Sequence, residues 1–132
     1  KLKVELGRNL EYMEEKDGMY DLKALNGADP YNVFLHGKTR YLRITDTKDT
    51  EKETLLVVKD SFAHSLVPIL ARNYNIVMVD IDLLIDPKLG TKIDLANLVN
   101  KTGADKVLLV YNLQNVIENS NLAYITAGKA AK

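Results

Sequence analysis

Cysteine is absent from the 132 residues, which excludes disulfides, iron–sulfur clusters and thiolate zinc sites. That absence is neutral about compartment. Tryptophan is also missing, and aromatic residues make up 7% of the chain, seven of them Tyr and two Phe. No apolar run approaches the roughly 18 residues that a membrane-spanning helix needs. Neither sign of charge is in excess, with 18 Lys and Arg against 18 Asp and Glu. Net charge therefore gives no reason to expect nucleic acid or an anionic membrane as the main partner. Glycine-rich nucleotide motifs are absent, so no nucleotide and no cofactor is expected. Two histidines without cysteine make a dedicated transition-metal site an unsuitable reading, and no metal is expected.

What remains is ordinary globular material, 46% apolar and 27% charged. The length suits a single domain, 1–132, because two would each fall short of a core. The first residue is Lys and no leader precedes it. The chain is thus expected to be a processed or trimmed piece, and any membrane tether would have to come from sequence ahead of Lys1.

Apolar periodicity divides the chain into two parts. Residues 1–46 suit short strands and turns. Residues 1–6 alternate, 9–13 do so less cleanly, and Lys16-Asp17-Gly18 supplies a turn before a strand at 19–25. Residues 26–30 (Asn-Gly-Ala-Asp-Pro) are a loop, and strands are expected at 31–35 and 41–45, joined at His36-Gly37-Lys38-Thr39. The four tyrosines Tyr12, Tyr20, Tyr31 and Tyr41 fall on these strands as core or sheet-face residues, or as platforms for sugar rings where exposed.

From residue 54 a β/α rhythm sets in. Continuous apolar runs at 55–58, 76–81 and 106–111 read as strands buried on both faces. A helix over 61–73 carries Phe62, Leu66, Ile69 and Leu70 on its apolar stripe, with Pro68 expected to bend it. A second helix over 92–102 is closed by Gly103, a last helical turn opens at 113–117, and the small, basic end from 127 is expected to fray. Strands joined by helices imply parallel β-α-β units with right-handed crossovers. The expected fold is α/β: a three-layer, mainly parallel sheet with flanking helices, preceded by a short-stranded N-terminal segment.

Ligands in such sheets sit at the carboxyl ends of the strands. At the first such end a buried strand runs into Asp60-Ser61, and a helix begins at the serine. The pair reads as a helix cap or as a nucleophile with N–H groups ready for an oxyanion. His64, three residues on, is either a local base for Ser61, with Asp60 to orient it, or a half-exposed polar residue on a helix. Asp80, Asp82 and Asp86 collect at the second strand end and read as caps or as hard-cation ligands.

The stretch Leu55-Leu-Val-Val-Lys-Asp-Ser-Phe-Ala-His-Ser-Leu-Val-Pro-Ile-Leu70 closely resembles the Asp-Ser segment of the DHHW family. These are bacterial cell-envelope proteins with an SGNH-hydrolase-like fold, related to the alginate acetyltransferases. The resemblance continues through Gly7-Arg-Asn-Leu-Glu-Tyr-Met13, Asp29-Pro-Tyr-Asn-Val-Phe-Leu35, Val77-Met-Val-Asp-Ile81 and Asp105-Lys-Val-Leu-Leu-Val-Tyr-Asn112. It implies an SGNH-hydrolase-like domain or its C-terminal portion, Ser61 at the nucleophile position and Asp60 before it. The family's Asp-His-His-Trp motif is absent here and would fall ahead of Lys1. Where the family has Gly-Gly-Asn, this chain has His36-Gly37-Lys38, so Lys38 replaces an oxyanion amide. Asp82 replaces an Arg, and Lys59 a Gly. By the same resemblance the loop that holds His36 lies near the site's rim, so His36 reads as a residue approaching Ser61 or as a surface loop histidine; with Lys38 and Asp82 it is a substrate-binding candidate. The implied activity is an acyl-ester hydrolase or O-acetyltransferase on a cell-surface polysaccharide, extracellular or bound to the envelope. The alternative is a degenerate, non-catalytic domain for carbohydrate binding or scaffolding.

Overall fold

The two least interrupted apolar runs become the two central strands. In the computed structural model, which describes residues 1–49, 51–85, 92–118 and 120–126, these are β4 (Thr54–Lys59) and β5 (Asn75–Asp80). Every residue of each is buried except the first. Around them stand β1 (Leu2–Gly7), β2 (Met13–Lys16), β3 (Tyr41–Asp46) and β7 (Lys106–Val110), in the sheet order β2-β1-β3-β5-β4-β7. A separate two-stranded parallel ribbon pairs β6 (Ile93–Asp94) with β8 (Ile125–Thr126). Among the described residues, four α-helices complete the fold: α1 (Val67–Leu70), α2 (Ile81–Leu84), α3 (Leu95–Thr102) and α4 (Leu113–Glu118).

The sheet is α/β and flanked by helices on both faces, as expected, but it is mixed. β5, β4 and β7 run parallel, while β1, β2 and β3 join antiparallel. The N-terminal segment is therefore an extension of the same sheet. Alternation of side chains sorts the core onto two faces. One holds Val4, Leu42, Ile44, Leu55, Val57, Ile76 and Met78 beneath Leu35, Val67 and Ala71. The other holds Leu56, Val58, Val77 and Val79 beneath Ile81, Ile85, Ile93 and Leu98. The chain leaves β4 across the first face and returns to β7 across the second. The carboxyl end of β4 thus lies where the strand order reverses, the position at which open α/β sheets bind ligands.

Several local expectations are corrected. Residues 9–12 form a turn in which Asn9 Oδ1 accepts from the Glu11 and Tyr12 N–H groups, leaving Tyr12 exposed. Residues 22–26 and 30–33 are 3₁₀ turns, started by Asp21 and Asp29 side chains that accept from the N–H two residues on. An isolated bridge between Tyr20 and Phe34 stands in place of the expected pair of strands. The helix over 61–73 divides into a 3₁₀ turn, Ser61–Ser65, and α1. Pro68 lies in the first turn of α1, where its missing N–H breaks no bond. The inward residues are Ala63, His64, Val67, Pro68 and Ala71, whereas Phe62 and Ile69 face out. β7 is an edge strand with Val107 and Leu109 exposed, because α3 covers β4 and β5 but stops short of it. Gly103 does close α3, with a left-handed φ of 64°. Asp86 and the end from 127 lie outside the described residues.

Leu35, His36 and Gly37 take three consecutive positive φ values of 55°, 59° and 83°. This reversal carries the chain from the buried Leu35 back to the end of β4. A Cβ at Gly37 would lie 2.8 Å from Asn32 Oδ1. Gly37→Ala should therefore cost about 1–2 kcal/mol from backbone strain alone, read as a lower urea midpoint at unchanged m-value.

Candidate active site at the tip of β4

The end of β4 buries a charge. Lys59 is fully inaccessible, and its ammonium donates to Asp80 Oδ2 (2.8 Å) at the end of β5 and to the Asp60 carbonyl (2.9 Å). Burial pulls its pKa below the usual lysine range, while the Asp80 charge acts against that shift. The Asp80 Oδ1 atom accepts from Asp82 N–H and so caps α2. One carboxylate thus ties two strand ends and a helix start.

Asp60 is equally buried, and its carboxylate is fully engaged. Oδ1 accepts from Phe62 N–H (3.0 Å), while Oδ2 accepts from Asn112 N–H (2.7 Å) and Asn115 Nδ2 (2.9 Å). It caps the turn that begins at Ser61 and straps the ends of β4 and β7 together. It makes no contact that orients His64. The Phe62 N–H, a candidate oxyanion donor, is taken by this cap. A 3₁₀ turn of five residues also carries little of the dipole expected of a long helix.

His64 is 3% exposed, in contrast to the half-exposed residue anticipated. Its Nδ1 lies 2.8 Å from the Ser61 carbonyl oxygen and 3.3 Å from Lys59 Nζ. Nδ1 therefore lies between an acceptor, the Ser61 carbonyl, and a donor, the Lys59 ammonium. Nε2 is buried without a hydrogen-bond partner among the described residues. The ring contacts Ser61 through its main chain, not through its hydroxyl. Burial, and then the Lys59 charge, lower the His64 pKa; the Ser61 carbonyl, Asp80 and the Gly37 main chain pull weakly the other way.

Ser61, Phe62 and His64 line a cavity of about 240 Å³ together with Asp29, Tyr31, Asn32, Gly37 and Lys38. Tyr31 donates its hydroxyl to the Phe62 carbonyl (2.7 Å) and stands edge-on to the His64 ring. Of the residues singled out from sequence, Ser61, His64 and Lys38 meet here. His36 does not: its Nε2 pairs with the Gly18 carbonyl at 3.0 Å. Asp82 also stays off the lining, at the start of α2. Asn32 and Phe62 are cavity residues that sequence reasoning does not assign, whereas Tyr31 is one of the tyrosines offered there for a sugar ring. Asn32 places a side-chain amide on the same cavity wall as Lys38, and its place within the Asp29-Pro-Tyr-Asn run is the available signal. Lys59 is readable as a charge ending an apolar run. The Tyr111 hydroxyl, beyond β7, is buried without a partner among the described residues; burial and then the charges of Asp82, Asp60 and Asp80 raise its pKa.

No family model and no curated protein matches the chain. Solved structures do share its fold. Bacillus cereus PatB1 carrying a sulfonyl adduct superposes with a TM-score of 0.68 at 18% identity, over 94% of this chain and 41% of PatB1. A second PatB1 structure superposes at 0.61 and 20% identity, over 86% and 36%. A DHHW family protein from Eubacterium siraeum gives 0.67 at 14% identity, over 97% and 41%. The chain therefore has the fold of part of a DHHW family protein. It spans about two fifths of the length of these structures.

Two outcomes test the site's electrostatics. Asp80→Asn, which strands the buried Lys59 ammonium, should destabilise the protein by about 3–5 kcal/mol, whereas Lys59→Met with Asp80→Leu should recover most of that loss. Equilibrium urea unfolding measures both. Because the folded His64 pKa lies below the unfolded value, the unfolded chain binds more protons in the interval between them. Stability should then fall as pH drops below about 6.5, and His64→Asn should remove that component from the pH profile of the urea midpoint.

Proposed function

We propose that this chain carries the serine-bearing part of an acyl-ester hydrolase or O-acetyltransferase, with Ser61 as nucleophile and an acylated bacterial cell-envelope glycan as substrate. The observation that carries the reading is the placing of Ser61, Lys38 and Asn32 around one cavity at the carboxyl end of β4. The sulfonyl adduct of PatB1, a structure with this fold, supports it, since a nucleophilic side chain forms such a group with a sulfonylating reagent. In the proposed reaction Ser61 Oγ attacks the acyl carbonyl carbon and its proton passes to a base. The oxyanion then collapses, the alkoxide leaves with that proton, and acyl-Ser61 is resolved by water or by a second hydroxyl.

Among the described residues neither histidine is placed as that base. His64 Nδ1 faces the Ser61 carbonyl and the Lys59 ammonium rather than the Ser61 hydroxyl, and His36 is held at Gly18. The Asp-His pair implied by the DHHW resemblance, which in the family precedes the Asp-Ser segment, is the proposed source. With the Phe62 N–H taken, the Asn32 amide and the Lys38 ammonium are the proposed oxyanion donors. Phe62 and Tyr31, exposed at the rim, offer faces for a sugar ring. The proposed location is the cell envelope; no helix among the described residues is long and apolar enough to cross a membrane.

The capped Phe62 N–H favours one competing reading, a binding domain that keeps the fold without the chemistry. Fluorophosphonate labelling of the longest natural form of the protein, read by peptide mass, separates the two. Labelling at Ser61 that disappears in Ser61→Ala is the expected result. An unlabelled, folded protein would establish the binding domain instead.

A further inference from the structure

The chain is neutral as a whole, yet positive charge collects at the end of the sheet that carries Ser61. β4 and β5 finish there side by side, with Lys59 opposite Asp80. The Asp80 N–H donates to the Arg40 carbonyl (3.0 Å), so β3 begins at the same end. β1 finishes there too, since Gly7 is paired with Tyr41, and Arg8 and Arg40 are the residues just beyond that last pair. Like charges set against each other across two strands weaken the pairing, and here no acid answers them. Among the described residues the exposed side chains of Arg8, Lys38 and Arg40 make no hydrogen bond and no ion pair. With Leu6, Thr39 and Leu83 they line an open groove of about 500 Å³ that has no carboxylate in its wall. Glu11 and Glu14 flank Arg8 on its far side without pairing with it, and Glu14 is taken by Lys16. Lys38 belongs both to this groove and to the Ser61 cavity, so the two adjoin.

We propose that the groove of Arg8, Lys38 and Arg40 is a subsite for an acidic glycan, one bearing carboxylate or phosphate groups, and holds the stretch of polymer next to the unit that reacts at Ser61. This rests on the acyl-transfer reading and names the charge of its substrate. The shape of the site favours a chain over a single small anion. β4, β5, β3 and β1 are consecutive in the sheet, and three strand spacings set β1 about 14 Å from β4. Cations spread over such a distance meet successive charges of a polymer, whereas a small anion would reach only one end. The two guanidinium groups present planar forks that match carboxylate and phosphate oxygens alike. Because all three cations stand in solvent, salt screens their attraction for the polymer.

Calorimetric binding to the longest natural form, with hexagalacturonate and maltohexaose as the acidic and neutral probes, tests this without turnover. Hexagalacturonate should bind at least about tenfold more tightly than maltohexaose at low salt, and that preference should shrink as ionic strength rises. Arg8→Gln and Arg40→Gln should each weaken hexagalacturonate about tenfold, the loss of one charge-assisted hydrogen bond. Arg8→Lys and Arg40→Lys should recover part of the affinity, and Lys101→Gln, on α3, should change nothing. Fluorophosphonate labelling of Ser61 should be the same in all of these variants. A 6-phosphorylated maltohexaose identifies the anion: tighter binding than hexagalacturonate assigns phosphate, weaker binding assigns carboxylate, and either order sustains the subsite. Equal affinity for acidic and neutral sugars, binding of neither, glutamine variants that bind like the wild type, or a hexanucleotide that binds as tightly as the acidic sugars would overturn the proposal even where Ser61 labels. Charge-dependent sugar binding by a protein whose Ser61 stays unlabelled would sustain the subsite and remove the acyl chemistry instead.

Discussion

The ammonium of Lys59 sits where the sheet has no water to offer it. An isolated charge there would cost several kcal/mol, so its neighbours are constrained to answer it. Asp80 does so from the end of β5 and the Asp60 carbonyl from the turn that follows β4, while the third direction faces His64 Nδ1. Each contact fixes something else. Asp80, pinned by the lysine, caps α2 with its other oxygen. The Asp60 main chain sets the angle at which Ser61 leaves the strand. A pair of well-packed apolar residues would hold the two strand ends with less expense of solvation, but would not aim the groups around Ser61.

Placement elsewhere is done by short acidic side chains rather than by long helices. Asp21, Asp29, Asp60, Asp80 and Asp94 each accept from a backbone N–H two or three residues on and begin a helical turn. Such caps suit a chain whose helices are mostly a turn or two in length, because each needs no cooperative run to form. The opposite wall of the cavity is positioned by the reversal at Leu35, His36 and Gly37, where two residues with side chains accept a left-handed backbone. Strain of that kind persists only when the packing around it allows no alternative, and Leu35 is fully enclosed in the core.

The parts of the fold that are legible in the sequence are those set by one dominant effect. β4 and β5 follow from uninterrupted apolar runs, and Gly103 from its freedom at positive φ. The segments 19–25 and 31–35 look like strands because their composition suits a pleated face, but Asp21 and Asp29 offer the backbone nearer partners than a neighbouring strand. Helical spacing puts Phe62 in a buried stripe; the division at Pro68 gives residues 61–65 a tighter turn, and Ala63 and His64 face inward instead. At the site, Ser61 and Lys38 can be found by resemblance and Asn32 lies within a matching run, whereas the burial of His64 and the turning of Asn32 onto the cavity wall cannot be read there. Both depend on how a loop thirty residues earlier folds back, which no local pattern records.

Among the described residues β7 is paired on one side alone, and Val107 and Leu109 on its outward face stand near no covering helix. Leu113, Val116 and Ile117 on the following α4 are likewise exposed. A sheet edge of this kind is a template for further strands, and a formal net charge of zero gives copies of the chain no mutual repulsion at neutral pH. Purified by itself at high concentration, this polypeptide would be colloidally fragile. That edge is the strand next to β4, and Val107 and Leu109 lie outside the cavity lining, so charge introduced at either would make the edge more soluble without changing the cavity wall.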